Sequence, residues 1–234
     1  MRDILYPPFY MQVGENPECP KLPCRDILMA RENSFNAELP LSDNNIKISM
    51  VPSSIFSPKR SVVLVGLMGA GKTSIGGLLA RRLCLPFVDA DEEIEKAAGC
   101  SIAEIFDSYG EEEFRSGERR VIKRLLMQRV QIIATGGGAF MDDQTRQSIR
   151  QLAISIWLKA DLEVLVSRTV RRDHRPLLRG SNHRETLQRL LTEREPIYAM
   201  ADLIVESGNE PPKITVTKLL KALKNYKVND ARNE

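Results

Sequence analysis

The sequence of 234 residues lacks the features of a membrane-bound or exported protein. It has no run of about 18 apolar residues, which a membrane-spanning helix requires. The N-terminus does not combine a basic start with a long apolar core, as a secretory signal would. Residues 1–60 contain seven acidic and seven basic residues, whereas transit peptides are poor in acidic residues. We therefore expect a cytoplasmic protein without a membrane partner.

Cysteine and net charge are also scarce. The four cysteines include one C-x4-C pair, Cys19 and Cys24, with no second pair nearby. A structural zinc site needs four ligands, and a disulfide is disfavoured in the cytosol. The formal net charge is only +3, so no strong overall field points to nucleic acid. The composition is that of a soluble globular protein with neither a zinc site nor a nucleic-acid partner.

Residues 1–60 differ in composition from the rest of the chain. They hold eight of the thirteen prolines and one of the fourteen glycines. Because proline removes backbone donors and restricts the residue before it, we expect an N-terminal extension that is largely disordered. A translation start assigned too far upstream, with Met50 as the true start, is the alternative. We expect one folded domain at residues 61–225 and a polar C-terminal tail at residues 226–234.

From residue 61 onwards, short apolar runs alternate with segments whose apolar residues recur at helical spacing. The predicted strands are residues 61–66, 86–91, 130–135, 153–159 and 201–207. The predicted helices are residues 72–85, 91–99, 110–128, 161–169, 183–194 and 212–226, and a further helix begins at a capping box at residues 101–104. Such alternation implies parallel strands joined by crossovers. We therefore predict a three-layer α/β/α sandwich with a central parallel sheet.

The stretch "GLMGAGKT" at residues 66–73 fits the phosphate-binding pattern G-x-x-x-x-G-K-[ST]. It follows a predicted strand and opens a predicted helix, so backbone N–H groups from Gly69 to Thr73 would face a phosphate chain. Lys72 would bridge the outer phosphates, and the Thr73 hydroxyl would coordinate Mg²⁺. A chance glycine-rich turn is disfavoured because both the motif and its context match.

A second group of acids follows the next predicted strand. "FVDAD" places Asp89 and Asp91 two residues apart, and period-2 alternation would aim both past the carboxyl edge of the sheet. One carboxylate could hold the Mg²⁺ shell while the other accepts a hydroxyl proton. A solvated acidic turn is the alternative. No N-K-x-D guanine motif follows and the chain is too short for a motor ATPase, so we expect a small acceptor.

Two arginine-containing segments complete the candidate site. Arg115 and Glu118 are three apart on one predicted helix face, where they can pair, although such pairs are more often surface ion pairs. Residues 167–184 carry six arginines and one aspartate. This basic segment is either a solvated loop or a mobile lid that closes over phosphates.

The stretch "ATGGGAF" at residues 134–140 places three glycines after a predicted strand. Glycine costs about 0.5–1 kcal/mol relative to alanine in regular structure, so three together require a reason. Bare backbone would allow an acceptor to approach closely, and Thr135 would lie near the Mg²⁺ water shell. We expect Gly137→Ala to raise the acceptor KM more than the KM of the phosphate donor.

Six stretches occur in an order that resembles the shikimate kinase family of nucleoside-monophosphate-kinase-like P-loop proteins. They are "GLMGAGKTSIG", "FVDADEEIE", "SIAEIFDSYGEEEFRSGE", "ATGGGAF", "RPLL" and "REPIY", and the resemblance covers roughly residues 61–225. It implies a P-loop fold with a mobile lid. It also implies Mg²⁺-dependent transfer of the ATP γ-phosphate to the 3-hydroxyl of shikimate, in chorismate and aromatic amino-acid biosynthesis. We expect a monomer with one Mg²⁺ per site.

The resemblance also implies roles for individual residues. The ATP-binding set would be Gly69, Ala70, Gly71, Lys72, Thr73, Ser74, Arg168 over the adenine, and the lid residue Arg175 on the phosphates. Lys72, Asp91 and Arg175 would be the catalytic residues, with Thr73 on the metal and Asp89 in its outer shell. Asp91 would remain ionised near Lys72 and Mg²⁺, so at least half of its role would be to orient the acceptor hydroxyl.

The acceptor side would be formed by Asp91, Arg115, Gly136, Gly137, Gly138 and Arg194, with Glu118 orienting the site. The two arginines would bind the shikimate carboxylate, for which arginine is better suited than lysine. The roles of Arg171 and Arg172, and the adenine-side residue in the loop at 207–211, are left open. The alternatives are a related kinase of gluconate or a nucleoside monophosphate, and a nucleotide-binding regulator, which would need neither the aspartates nor the lid arginine.

Overall fold

The computed structural model describes residues 58–169 and 183–230, with side chains described up to residue 226. The described part contains the strands β1 (Ser61–Val65), β2 (Phe87–Asp89), β3 (Ile132–Ala134), β4 (Ala153–Lys159) and β5 (Leu203–Glu206). They form one sheet in the order β2-β3-β1-β4-β5, and every neighbouring pair is parallel. The predicted parallel α/β architecture is confirmed.

The central strands β3, β1 and β4 are apolar runs because the sheet is covered on both faces there, whereas the edge strands β2 and β5 are only partly buried. β1 lies at the centre and all five of its residues are buried. It pairs with β4 from Ser61↔Ala153 to Val65↔Trp157 and with β3 from Val62↔Ile132 to Leu64↔Ala134. Since all five strands are parallel, their carboxyl ends meet at one edge, where ligands bind in open α/β sheets.

Seven helices occur in the described residues. They are α1 (Lys72–Leu83), α2 (Ala90–Ala98), α3 (Ile102–Leu126), α4 (Asp143–Leu152), α5 (Leu162–Thr169), α6 (His183–Tyr198) and α7 (Pro212–Asp230). α7 continues four residues beyond its predicted end at Tyr226. None of the helices in this part of the chain is long and apolar enough to cross a membrane.

Helix α4 and the short 3-10 helix at Ala139–Met141 were not predicted. Only Thr145 and Ile149 of α4 are buried and most of its ten residues are polar, so too few apolar residues mark the helical spacing. The helix begins because the Asp142 carboxylate accepts a hydrogen bond from the backbone N–H of Thr145 at 2.8 Å. Arg119 adds an ion pair of 3.0 Å to the same carboxylate.

Helix α3 combines two predicted segments. Its N-terminus has the predicted capping box, in which Ser101 and Glu104 each bind the other's backbone N–H. The second segment follows a kink at Gly110, whose φ of 80° and ψ of 175° are non-helical. Only glycine adopts this backbone conformation readily, so Gly110 separates the two segments and sets the direction of the second.

Several sequence-level expectations fall outside the described residues. These are the N-terminal extension up to residue 57 and the arginine-rich segment at 170–182, with Arg171, Arg172 and the candidate lid residue Arg175. Arg168 and Arg194, on either side of that segment, are described and lie in α5 and α6.

Candidate active site

An open cleft of about 620 Å³ lies at the carboxyl edge of the sheet. Its walls combine the glycine-rich loop, both predicted aspartates, the start of the glycine triplet and the segment after β5. The residues that line it are Gly69, Gly71, Lys72, Thr73, Ser74, Ile75, Asp89, Asp91, Thr135, Gly136, Gly137, Ser167, Arg168, Thr169, Ser207, Asn209, Glu210, Pro211, Pro212 and Thr215. Candidate donor-side residues therefore share one space with Asp91, Gly136 and Gly137 of the acceptor side, whereas Arg115, Gly138 and Arg194 are not among the residues that line it.

The glycine-rich loop ends at the N-terminus of α1. The N-cap residue Gly71 has a φ of 95° and places no side chain over the first turn of the helix. The Lys72 ammonium donates hydrogen bonds to the carbonyl oxygens of Gly66 (2.7 Å) and Leu67 (3.1 Å). The backbone N–H of Ala70, one of the predicted phosphate donors, is bonded to Leu67 O at 3.2 Å. The positive end of the helix thus faces the cleft beside the lysine.

Asp89 and Asp91 both line the cleft, but not for the predicted reason. β2 ends at Asp89, and Asp91 is the second residue of α2, so strand alternation does not align them. Instead, Asp89 is the N-cap of α2 and accepts a hydrogen bond from the Asp91 N–H at 3.1 Å. Its other oxygen accepts the Thr73 hydroxyl at 2.8 Å. The helix cap, rather than the strand, brings the two carboxylates together.

The glycine triplet lies between the acidic and the arginine-containing parts of the site. A Cβ atom at Gly136 would stand 2.8 Å from Asp91 Oδ1 and 3.1 Å from Glu118 Oε1. One at Gly138 would overlap the Arg115 guanidinium, whereas one at Gly137 would meet nothing closer than 3.4 Å. Gly138 has an ordinary φ of −97°, so close approach rather than backbone conformation requires glycine there.

Arg115 and Glu118 form an ion pair of 2.7 Å, as predicted. The interpretation as a surface pair is wrong, because the Glu118 side chain is only 3% exposed. Burial raises the pKa of Glu118, the attraction of Arg115 opposes this shift, and the nearby Asp91 carboxylate adds to it. Arg115 is therefore held by a carboxylate that is almost completely buried.

Two side chains of α6 converge on the triplet. Arg194 Nη1 donates a hydrogen bond to the carbonyl oxygen of Gly137 at 3.1 Å, and the Tyr198 hydroxyl donates to the same oxygen. Tyr198 is fully buried and stacks on Trp157 with ring centroids 5.9 Å apart. Burial raises the pKa of Tyr198 to about 12, so its hydroxyl remains a donor. Tyr198 was not predicted, although its spacing of four from Arg194 puts both on one helix face.

Arg168 connects the glycine-rich loop to the segment after β5. Its guanidinium donates hydrogen bonds to Gly69 O (3.3 Å), Ala70 O (3.4 Å) and Gly208 O. Ser207, which also contacts Arg168, donates its hydroxyl hydrogen to Ala70 O at 3.0 Å. The cleft wall beside these residues consists of Asn209, Glu210, Pro211, Pro212 and Thr215. The sequence left the adenine-side residue of this loop open, and the structure places Asn209, Glu210 and Pro211 of the loop on the cleft wall.

The comparison with known families agrees with this geometry. A family model described as shikimate kinase matches residues 68–224, which include every described candidate site residue. The chain belongs to the shikimate kinase family. It is therefore an ATP-using phosphotransferase that acts on a hydroxyl acceptor, and the alternative of a nucleotide-binding regulator is not supported.

Close relatives support membership of the shikimate kinase family. The shikimate kinase of Paramagnetospirillum magneticum is 54% identical over 167 residues, which cover 71% of this chain and 86% of the relative. The shikimate kinase of Bradyrhizobium diazoefficiens is 53% identical over 165 residues, which cover 70% of this chain and 80% of the relative.

Solved structures show the same relationship. Shikimate kinase from Acinetobacter baumannii in complex with shikimate has a TM-score of 0.71 and 36% identity, over 75% of this chain and 99% of that one. A gluconokinase from Sinorhizobium meliloti has a TM-score of 0.55 and 20% identity, over 76% of this chain and 99% of that one. The second likeness shows a common fold only.

The described part of the site offers few protein groups for a metal. Among the residues that the structure describes, no cluster of three or more His, Cys, Asp or Glu side chains could hold a metal ion. The oxygens of Thr73 and Asp89, 2.8 Å apart, are hard donors of the kind that Mg²⁺ prefers. Thr135 also lines the cleft, with its hydroxyl bonded to Leu64 O at 3.1 Å.

Proposed function

We propose that the protein transfers the γ-phosphate of ATP to the 3-hydroxyl of shikimate. The observation that carries this proposal is the arrangement around the glycine triplet. Asp91, a hydroxyl-binding group, packs against Gly136, and Arg115, a carboxylate-binding group, packs against Gly138. A small acceptor lying along the triplet would thus meet a carboxylate at one end and a guanidinium at the other. Shikimate carries both a carboxylate and hydroxyl groups.

The charges of the site suit phosphoryl transfer, which depends mainly on positioning and on stabilising negative charge. Lys72 would exchange the carbonyl oxygens of its own loop for the outer phosphates of ATP. Asp91 would orient the acceptor hydroxyl and accept its proton, and such a base typically contributes about 10²–10⁴-fold. Arg175, outside the described residues, is proposed as the lid group on the phosphates.

Mg²⁺ fits the oxygen pair formed by Thr73 and Asp89. We propose that the Thr73 hydroxyl binds the ion directly and that Asp89 holds one of its water ligands. When bound, the ion would supply positive charge against the phosphate oxygens. The octahedral preference of Mg²⁺ for phosphate and water oxygens is consistent with so few protein ligands.

The adenine side of ATP is proposed to lie between Arg168 and the segment at 209–212. Arg168 is anchored by backbone carbonyls of two loops, which fixes the plane of its guanidinium. A planar guanidinium stacks well on an aromatic base. Pro211 and Pro212 provide an apolar wall of the same cleft.

We also propose that residues 61–225 carry the whole activity and that the chain acts as a cytoplasmic monomer. The described site residues fall within the family match at 68–224, which supports the assignment of the activity to residues 61–225. Limited proteolysis should leave a core of this size with unchanged activity. A fall in activity after trimming would contradict the proposal.

A coupled assay of ADP release tests the proposed reaction. The protein with ATP and Mg²⁺ is offered shikimate, gluconate and a nucleoside monophosphate in parallel. We expect acceptor-dependent ADP release with shikimate alone, and product analysis should show a 3-phosphate ester. Lys72→Ala is the control that should abolish turnover. Stimulation by gluconate and not by shikimate would overturn the assignment.

A further inference from the structure

Arg115 contacts two carboxylates that differ sharply in exposure. Its Nη1 donates a hydrogen bond to Glu118 Oε2 at 2.7 Å. Its Nε (3.4 Å) and Nη2 (3.2 Å) both donate to Glu111 Oε1. The Glu118 side chain is 3% exposed, whereas the Glu111 side chain is 67% exposed. One carboxylate is thus a permanent neighbour of Arg115 and the other lies at the solvent boundary.

The guanidinium edge that Glu111 occupies is the one suited to an incoming carboxylate. The Nε and Nη2 hydrogens of arginine point in parallel and match the two oxygens of a carboxylate. Nη1 is already engaged by the buried Glu118, and the Gly138 backbone packs against the guanidinium. The Nε and Nη2 edge is therefore the part of Arg115 that a ligand carboxylate can use. In this structure the Glu111 carboxylate occupies that edge.

We propose that the Glu111 carboxylate occupies the edge of Arg115 that will bind the acceptor carboxylate. Glu111 must leave this edge when the acceptor binds. This inference rests on the proposed function, in which Arg115 binds the carboxylate of the acceptor. Glu111 then determines acceptor affinity without touching the transferred phosphate. It also favours anionic acceptors, because a neutral ligand cannot replace the charge that Glu111 provides.

The difference in exposure decides which carboxylate leaves. An exposed ion pair is weak, and Glu111 can turn into water at little cost. Removal of Glu118 from Arg115 would leave a buried charge without its partner, which is far more costly. Glu111 directly follows the Gly110 kink, so it stands at the first turn of the second segment of α3. It can move without disturbing the residues of that segment that pack in the core.

Steady-state kinetics with Glu111→Gln and Glu111→Ala test this inference. Both variants should lower the KM for shikimate by about two- to fivefold, the range of an exposed ion pair. The kcat and the KM for ATP should remain unchanged. Glu112→Gln is the matched control, because it removes the same charge from the neighbouring exposed position and should leave the KM for shikimate unchanged.

Two further measurements separate displacement from a general change in charge. A shikimate analogue whose carboxylate is replaced by a primary amide cannot replace the charge of Glu111, so Glu111→Gln should lower its KM at least as much as the KM for shikimate, whereas a general charge effect would leave the KM of this neutral analogue unchanged. In an Arg115→Lys background, Glu111→Gln should no longer lower the KM for shikimate, because lysine lacks the paired edge.

The outcomes distinguish the inference from the proposed function. A higher KM for shikimate in Glu111→Gln would mean that Glu111 supports Arg115 in the complex, and would overturn the inference. An equal decrease in Glu112→Gln would also overturn it, in favour of long-range electrostatics. An unchanged KM in Glu111→Gln, with normal wild-type turnover, rejects the inference alone. Absence of shikimate turnover in the wild type rejects the proposed function and the inference with it.

Discussion

Tyr198 donates its hydroxyl hydrogen to the carbonyl oxygen of Gly137, the middle residue of the glycine triplet. This carbonyl belongs to the same peptide plane as the N–H of Gly138, so the bond from α6 sets the direction of that N–H. Arg194 donates a hydrogen bond to the same oxygen, and the Trp157 ring stacks on the ring of Tyr198. The last turn of α6 therefore positions the backbone against which the acceptor is proposed to lie.

Tyr198→Phe should raise the KM for shikimate by about two- to tenfold, because a neutral hydrogen bond contributes about 0.5–1.5 kcal/mol. The ring and its stacking on Trp157 remain, so the KM for ATP should change little. Tyr226→Phe, at a partly buried position of α7, serves as the control and should alter neither constant. Equal changes in both KM values for Tyr198→Phe would indicate a role in folding only.

Alanine substitutions at the three glycines of the triplet should differ in their effect on the KM for shikimate. Gly136→Ala and Gly138→Ala place a methyl group against Asp91 and Arg115, and should raise the KM for shikimate by about 10- to 100-fold. The methyl group of Gly137→Ala would make only ordinary contacts, so this variant should change the KM for shikimate least. The sequence had suggested Gly137 as the position to test, and the structure favours Gly136 and Gly138 instead.

Thermal unfolding completes this comparison of the three alanine variants. The clashes at Gly136 and Gly138 involve the buried Glu118 and its ion-pair partner Arg115, so these two alanine variants should melt below the wild type, whereas Gly137→Ala should melt close to it. A Gly137→Ala variant with the largest KM change would contradict this description of the site.

Substitution of Arg168 and of Arg115 should each weaken the binding of a different substrate. Arg168→Ala removes the contact between the glycine-rich loop and Gly208, and should raise the KM for ATP by about tenfold while the KM for shikimate is retained. Arg115→Ala should raise the KM for shikimate by about 100-fold or more, with ATP binding retained in calorimetry. Parallel loss of both substrates in either variant would argue against the assigned sides of the cleft.

The buried Glu118 predicts a pH dependence of stability. Because burial raises its pKa, the ionised form is less favourable in the folded chain than in the unfolded chain. Its contribution to stability is therefore lost as the pH rises from the ordinary glutamate range through the raised pKa.

Glu118→Gln has no such titration. The melting temperature of Glu118→Gln minus that of the wild type should thus increase as the pH rises above the ordinary glutamate range. Glu112→Gln, at an exposed position, should show no comparable trend. A difference for Glu118→Gln that is constant or falls with rising pH would contradict the prediction.

Much of the sheet could be predicted from the sequence, because parallel strands buried on both faces appear as β-branched runs. The glycine-rich loop was predictable for a similar reason, since its pattern specifies both backbone and side chains. α4 was missed because its start depends on the Asp142 cap and not on apolar periodicity. The elements that could be predicted are therefore those marked by a strong local sequence pattern.

The sequence indicated many of the residues of the candidate site, but it did not show which structural features bring them together. Asp91 was placed correctly but for the wrong reason, because the extent of β2 could not be determined to within two residues. The burial of Glu118 depends on packing between α3 and the triplet, which are distant in sequence. Tyr198 ends the stretch "REPIY", but that stretch assigned it no role, and only the fold brings it to Gly137.

The shared cleft has a consequence for ligand design. Since Lys72, Asp91 and Gly137 line the same open space as Pro211 and Thr215, no wall of the described residues separates the donor region from the acceptor region. A single bisubstrate compound could extend from the Arg168 end to the triplet. Such a compound would lose translational and rotational freedom only once, whereas two separate ligands lose it twice.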